Sequence, residues 1–338
     1  MRKISFSIFA LATALLLAAC SPNSDTDGSD LPAQVDNRPL IATTVAPITS
    51  IAASIAGDRA RIEGIVPEGT NSHTFEPSPQ IARLLSEADL ILVNGLKLED
   101  PTIKMAQSNK KADTEIIEIG TLVLPESDYL YDFSFPEEEG KPNPHLWTDP
   151  SYAILYAGVI QDQLTKLDPE NATYYADNFA KFEQQANDLA VAVSADQESV
   201  PTGNLKLLTY HDAYAYFAKN FGWTVIGAIQ PNDFADPAPS EVARLIDQVK
   251  AENVTTIFGS EVFPSAVLEE VGRATGARYE DTLRDDDLPG APEDAEHSWL
   301  GLMKYNYRTM ISGLGGTPTQ LDAIMLTPTS SSSVVYPQ

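Results

Sequence analysis

At 338 residues the chain is longer than one ordinary hydrophobic core supports, and it points to two domains. Its 48 acidic against 22 basic side chains give a net charge of −26. That balance excludes a nucleic-acid footprint and a surface that hugs anionic lipid, and suits a soluble body that draws cations.

The chain opens with MRKISFSIFALATALLLAAC: Arg2 and Lys3, then uncharged residues, then a small-residue site. This reads as an export signal over residues 1–19. It is short for a spanning helix, which needs about 20 apolar residues. The stretch Leu17-Ala18-Ala19-Cys20 resembles a bacterial lipoprotein cleavage box. Cys20 is the single cysteine of the chain, so it has no internal disulfide partner, and the resemblance makes it the lipid-carrying first mature residue. Residues 20–38 are rich in Ser, Asp, Asn, Pro and Gly and read as a flexible tether.

Short apolar runs then alternate with helical patterns. Candidate strands are 40–46, 61–67, 90–95 and 115–120, followed by a second group at 206–210, 224–229, 254–259 and 277–283. Alternation of this kind predicts an α/β protein with two lobes, each a four-stranded parallel sheet flanked by helices. The lobes are expected at 39–166 and 199–318. Between them, residues 167–198 contain no glycine, and no proline after Pro169. Tyr175, Phe179, Phe182, Ala186, Leu189 and Val193 fall on one helical face there. The segment reads as one long rigid α-helix of about 40 Å, with Asp168 as N-cap and Pro169 opening the first turn. Residues 319–338 read as a low-order tail.

Three of the four histidines stand in similar settings. His73 lies in PEGTNSHTFEPSP after the second strand, a loop stiffened by prolines. His145 lies in NPHLWTDP after the fourth strand, and His211 in TYHDAYAYF where the fifth strand ends. Ligands of open α/β sheets gather at the carboxyl ends of strands, so these rings are expected to face one crevice. His297, in DAEHSWLGL, reads as a surface or cap residue. A fourth, oxygen ligand is expected after a strand of the second lobe. LRDDDLPG offers Asp285, Asp286 and Asp287, and Glu261 is the runner-up.

These motifs identify a resemblance to the substrate-binding lipoproteins of bacterial zinc and manganese ABC importers, the cluster A-I family, over residues 40–316. VPEGTNSHTFEPSP resembles the first histidine motif of that family, with Ser72 where a proline is usual. LVNGLKLE, NPHLWTDP, HDAYAYFAKNFGW, and DDDLPG followed by GLMKYN match its later motifs in order. The resemblance implies metal held between two lobes by His73, His145, His211 and Asp286. It also implies delivery to a membrane permease, a lipid anchor on Cys20, and a location in the periplasm or at the cell exterior. A monomer without nucleic-acid partners is expected.

Three imidazoles and one carboxylate suit zinc, which commonly takes four ligands; manganese, the alternative, favours more oxygen. Affinity is expected to fall as neutral imidazoles protonate below about pH 6.5. The acidic, histidine-free loop at 124–144 is expected to cover the site or to attract cations weakly. No zinc-protease, nucleophile-elbow or phosphate-loop motif is present, so an enzyme, such as a zinc-dependent hydrolase, is not expected. A surface adhesin is the other rival, but it would not need ordered histidines.

Overall fold

The computed structural model describes residues 36–231, 237–261, 266–327 and 334–336. The export segment, Cys20 and most of the tether lie outside the described residues. From Leu40 onward the alternation is regular. Strands β1 (Leu40–Thr43), β2 (Arg61–Gly64), β3 (Leu90–Val93) and β4 (Glu115–Glu118) alternate with helices α1 (Ala46–Ala56), α2 (Pro79–Glu87) and α3 (Asp100–Asn109), and a short α4 (Ile119–Val123) follows. They form a parallel sheet in the order β2-β1-β3-β4.

A second sheet repeats that order. Strands β5 (Lys206–Thr209), β6 (Thr224–Ala228), β7 (Thr256–Ser260) and β8 (Arg278–Leu283) alternate with α7 (Ala215–Phe221), α8 (Pro239–Ala251) and α9 (Ala266–Thr275). Their order is β6-β5-β7-β8, again parallel. All eight predicted strands are present. β1, β3 and β7 are buried along their whole length, which is why they read as continuous apolar runs rather than as alternation.

Between the sheets, α5 (Pro150–Leu167) runs into α6 (Ala172–Asp196). Asp149 caps α5 by accepting the Ser151 N–H at 2.7 Å. The long helix begins later than its sequence suggests. Asp168 is at once the C-cap of α5 and the N-cap of a 3₁₀ turn, Pro169–Asn171, that leads into α6. The Asp168 carboxylate accepts from Asn171 at 2.7 Å and from the Tyr175 hydroxyl at 2.8 Å, so the corner is locked by side chains. The 25 residues of α6 span about 38 Å. Its stripe of Tyr175, Phe182, Ala186, Leu189 and Val193 is buried.

One core joins the two halves. It runs from Ile41 and Ile48 through Tyr156, Tyr175 and Leu189 to Phe217, Tyr307 and Met310, the last two on α10 (Trp299–Gly313). Two smaller cores lie on the remaining faces of the sheets, around Leu85 and around Ile257. Trp299 Nε1 donates to the Trp147 carbonyl at 2.9 Å, and the Tyr307 hydroxyl to the Thr148 carbonyl at 2.6 Å. Both tryptophans are fully buried, and truncating such a residue to alanine costs about 3–5 kcal/mol. The described residues from Arg38 onward accordingly form one compact body containing both sheets.

Residues 319–327 and 334–336 pack onto the body, although their composition reads as a low-order tail. α11 (Thr319–Ala323) buries Leu321, and Asp196 accepts the N–H groups of Gln320 and Leu321. Farther on, Val335 forms a parallel bridge with Glu63 at the edge of β2. The Tyr336 ring fills the space that the missing Cβ of Gly64 leaves open, and its hydroxyl reaches Glu68 at 3.4 Å. The serine run hid this, because only two or three residues make the contact.

Candidate metal centre

The strand ends carry the chemistry. Past β2, the loop turns into a 3₁₀ helix at Ser72–Thr74, opened by Asn71, whose side chain accepts the His73 N–H at 2.9 Å. Past β3, Glu99 accepts the N–H groups of Asn94 and Gly95 at 2.7 and 3.1 Å. That bend needs three consecutive left-handed residues, Gly95, Leu96 and Lys97. Asn94, so held, donates to the Pro144 carbonyl at 3.0 Å and braces the residue before His145. Past β5, Thr209 donates its hydroxyl to the His211 carbonyl at 2.6 Å and fixes the turn.

The three Nε2 atoms of His73, His145 and His211 converge, at 2.9 Å (145 to 211), 3.1 Å (73 to 145) and 3.2 Å (73 to 211). Among the described residues this is the one cluster of three or more ionisable side chains with metal-ligand spacing. His145 Nδ1 lies 2.8 Å from Asn143 Oδ1, and His211 Nδ1 lies 2.5 Å from Gln230 Oε1. An amide oxygen can only accept, so both rings carry their proton on Nδ1 and turn a bare Nε2 lone pair inward. Bare lone pairs at 2.9 Å repel unless a cation lies between them. A proton fills the gap poorly. Burial lowers all three imidazoles, His211 to about 4, and His73 and His145 are pushed further down by neighbouring positive charge. The rings therefore stay neutral further into acid than a free imidazole.

Beyond β8 the acidic run divides its roles. Asp285 Oδ2 lies 3.5 Å from His211 Nε2 and 3.9 Å from His145 Nε2, buried and without a hydrogen-bond partner. Asp286, which the motif comparison singles out, turns its Oδ2 to the Ser72 N–H at 3.0 Å, while its Oδ1 is buried and unpartnered. Asp287 faces away to Arg284, at 2.8 Å. Glu261 braces the run, its Oε1 accepting the N–H groups of Asp285 and Asp286 at 2.8 and 3.0 Å. Burial raises Asp285 well above the carboxylate range and Asp286 to about 7, with repulsion among the acids adding to both. Buried lone pairs beside buried acids with unpartnered oxygens make a donor set for a divalent cation.

His297 is apart from this cluster. It precedes the N-cap Ser298 of α10 and pairs with Glu68 at 3.1 Å. Asn143 and Gln230 are site residues that the sequence reading missed. Asn143 stands two residues before His145, where a second polar side chain in a proline-bracketed loop was a usable signal. Gln230, nineteen residues after His211, gave none.

Two parallel sheets of one topology, with imidazoles gathered from loops of both, are the arrangement of a protein that binds a metal ion at its strand ends. The chain matches the family model of zinc-uptake complex component A, periplasmic, over residues 41–313, and belongs to that family. It is 27% identical over 319 residues to the manganese-binding lipoprotein MntA of Halalkalibacterium halodurans, covering 93% of this chain and 99% of that one. It is 27% identical over 310 residues to the iron-binding protein YfeA of Yersinia pestis, covering 92% and 95%. The fold is similar to that of the periplasmic zinc binding protein TroA from Treponema pallidum, with a TM-score of 0.74 at 23% identity over 82% of this chain and 99% of that one. The protein is thus a metal-binding substrate-binding protein of an ABC importer and not an enzyme.

Proposed function

We propose that the protein captures zinc outside the cytoplasm on His73, His145, His211 and Asp285, and hands it to the membrane permease of an ABC importer. The observation that carries this is the meeting of three Nε2 atoms within 3.2 Å, two of them held lone-pair-inward by amide oxygens. Three nitrogens and one carboxylate make a complete zinc shell. Asp285 is assigned the fourth place over Asp286 because it lies beside the imidazoles. The Ser72 N–H, which a proline at that position would lack, gives Asp286 another partner.

Manganese is the second reading. The unpartnered Oδ1 of Asp286 would give an ion a richer oxygen set, and the relative from H. halodurans carries a manganese-binding name. Intrinsic affinity favours zinc over manganese at most sites, so the test is made in cells as well as in solution. Cells lacking the protein should stop growing when zinc is scarce and recover with added zinc. Recovery with manganese alone would overturn the zinc reading. In vitro, Asp285→Asn should weaken zinc more than Asp286→Asn, and the reverse order would move the ligand by one residue.

We further propose that Cys20 carries the lipid that holds the protein at the membrane. Among the described residues no helix is long and apolar enough to cross one. The Cys20→Ala variant should appear in the soluble fraction.

A further inference from the structure

We propose that Phe135 fixes the coordination number of the bound metal, and with it the preference for zinc over manganese. This inference rests on the reading of the three histidines as ligands. Phe135 belongs to the acidic loop 124–144, yet it is only 5% exposed. Its ring centroid lies 5.5 Å from that of His73, 5.6 Å from that of His145 and 6.4 Å from that of His211. Such similar distances put the ring against the cluster as a whole and not beside one imidazole.

The loop is pinned there by bonds that need no metal. Ser134 donates its hydroxyl to the Gln230 carbonyl at 2.8 Å, and the Leu130 N–H reaches the Tyr216 hydroxyl at 3.2 Å. Asn143 donates to the Asp132 carboxylate at 3.3 Å and to the Asp212 carbonyl at 2.8 Å. Phe135 is thus clamped between both halves on the same residues, Asn143 and Gln230, that orient His145 and His211.

An apolar ring so placed offers no lone pair and displaces water from its side of the ion. Zinc is satisfied by four ligands, whereas manganese favours six, mostly oxygens and often water. Excluding water from one face therefore costs manganese more than zinc, and an apolar shell is a general means of controlling solvent access to a metal. A small cavity lined by His73, Phe135, Lys141 and Pro144 opens beside the cluster. Truncating Phe135 would join that cavity to the ligands and admit water.

The test compares the purified protein with Phe135→Ala and Phe135→Leu. X-ray absorption gives the coordination number of bound zinc, and competition between zinc and manganese gives the preference. Phe135→Ala should raise the coordination number from four to five or six and reduce the zinc preference about tenfold, the low end of effects from groups surrounding a metal shell. Phe135→Leu, which keeps an apolar plug, should retain the original values. If the alanine variant does not fold, Phe135→Gln fills more of the space, admits water and should shift both readouts the same way. Unchanged coordination and preference in the alanine or glutamine variant would overturn the proposal. His145→Ala separates the two readings. Its loss of zinc binding beside an unaltered Phe135→Ala would sink the role of Phe135 alone, whereas its full retention of zinc would sink the metal site itself.

Discussion

The two sheets share one strand order, but the loops at their carboxyl ends differ in kind. The first half brings two neutral imidazoles, His73 and His145, on a sheet whose strands run in continuous register. The second half brings His211 with Asp285, Asp286 and Glu261, and its sheet slips register at Leu207/Leu208 and at Phe258/Ser260. Those slips fall just before His211 and Glu261, where a local kink re-aims the chain leaving the strand. A regular frame thus presents lone pairs, and a bent frame presents the acids that would neutralise a divalent ion under the proposed function. The buried acids Glu99 and Asp149 of the first half brace backbone instead.

If the halves are partners, losing either imidazole should be equally costly. His145→Ala and His211→Ala should each weaken zinc by more than about 100-fold, beyond the range typical of residues that only support a ligand. Isothermal titration reads this directly. A variant of one half that kept wild-type affinity would show that the other half binds alone. The supports should rank next. Asn143→Ala and Gln230→Ala free the Nδ1 protons of His145 and His211 and should each cost about 10- to 100-fold in affinity. A larger loss for Gln230→Ala would sharpen the contrast, since the half with irregular register has more freedom to lose the ring position.

The same contrast shows what a sequence reveals. Strands β1, β3 and β7 were legible because parallel strands buried on both faces leave apolar runs, and the others because they alternate with helical patterns at the same spacing. The histidine loops were legible because prolines and a strand end mark each one. Which of three adjacent aspartates faces the imidazoles was not legible, since it depends on where the Ser72 N–H lies in the opposite half. Phe135 was hidden too, as an aromatic in an acidic, proline-rich loop carries no periodicity to place it. The start at Asp168-Pro169 was legible, but that its first turn is 3₁₀ and is held by the side chains of Asn171 and Tyr175 was not.

The outer edges of the sheets extend the comparison at smaller cost. The first sheet has its β2 edge bridged by Val335 and sealed by Tyr336 over Gly64. Tyr336→Ala should lower stability by about 1 kcal/mol, as expected for losing one half-buried ring, while zinc affinity stays as it was. Chemical denaturation with and without zinc distinguishes the two effects. A fall in zinc affinity would mean that the tail supports the His73 loop through Glu68.

The smallest effect should come from His297, which ties α10 to that loop. Its hydrogen bond to Glu68 raises its pKa above the ordinary value, with partial burial opposing. A histidine held charged in the fold contributes stability fully below its unfolded pKa of about 6.5 and loses it as pH rises through the folded value. Relative to His297→Gln, the metal-free protein should therefore be more stable near pH 5.5 by less than about 1 kcal/mol, and the difference should vanish in alkali. Denaturation of both proteins across that range checks the sign. A difference that instead grew with pH would mean that His297 is held neutral, and the tie between the two halves would then be an ordinary hydrogen bond and not an ion pair.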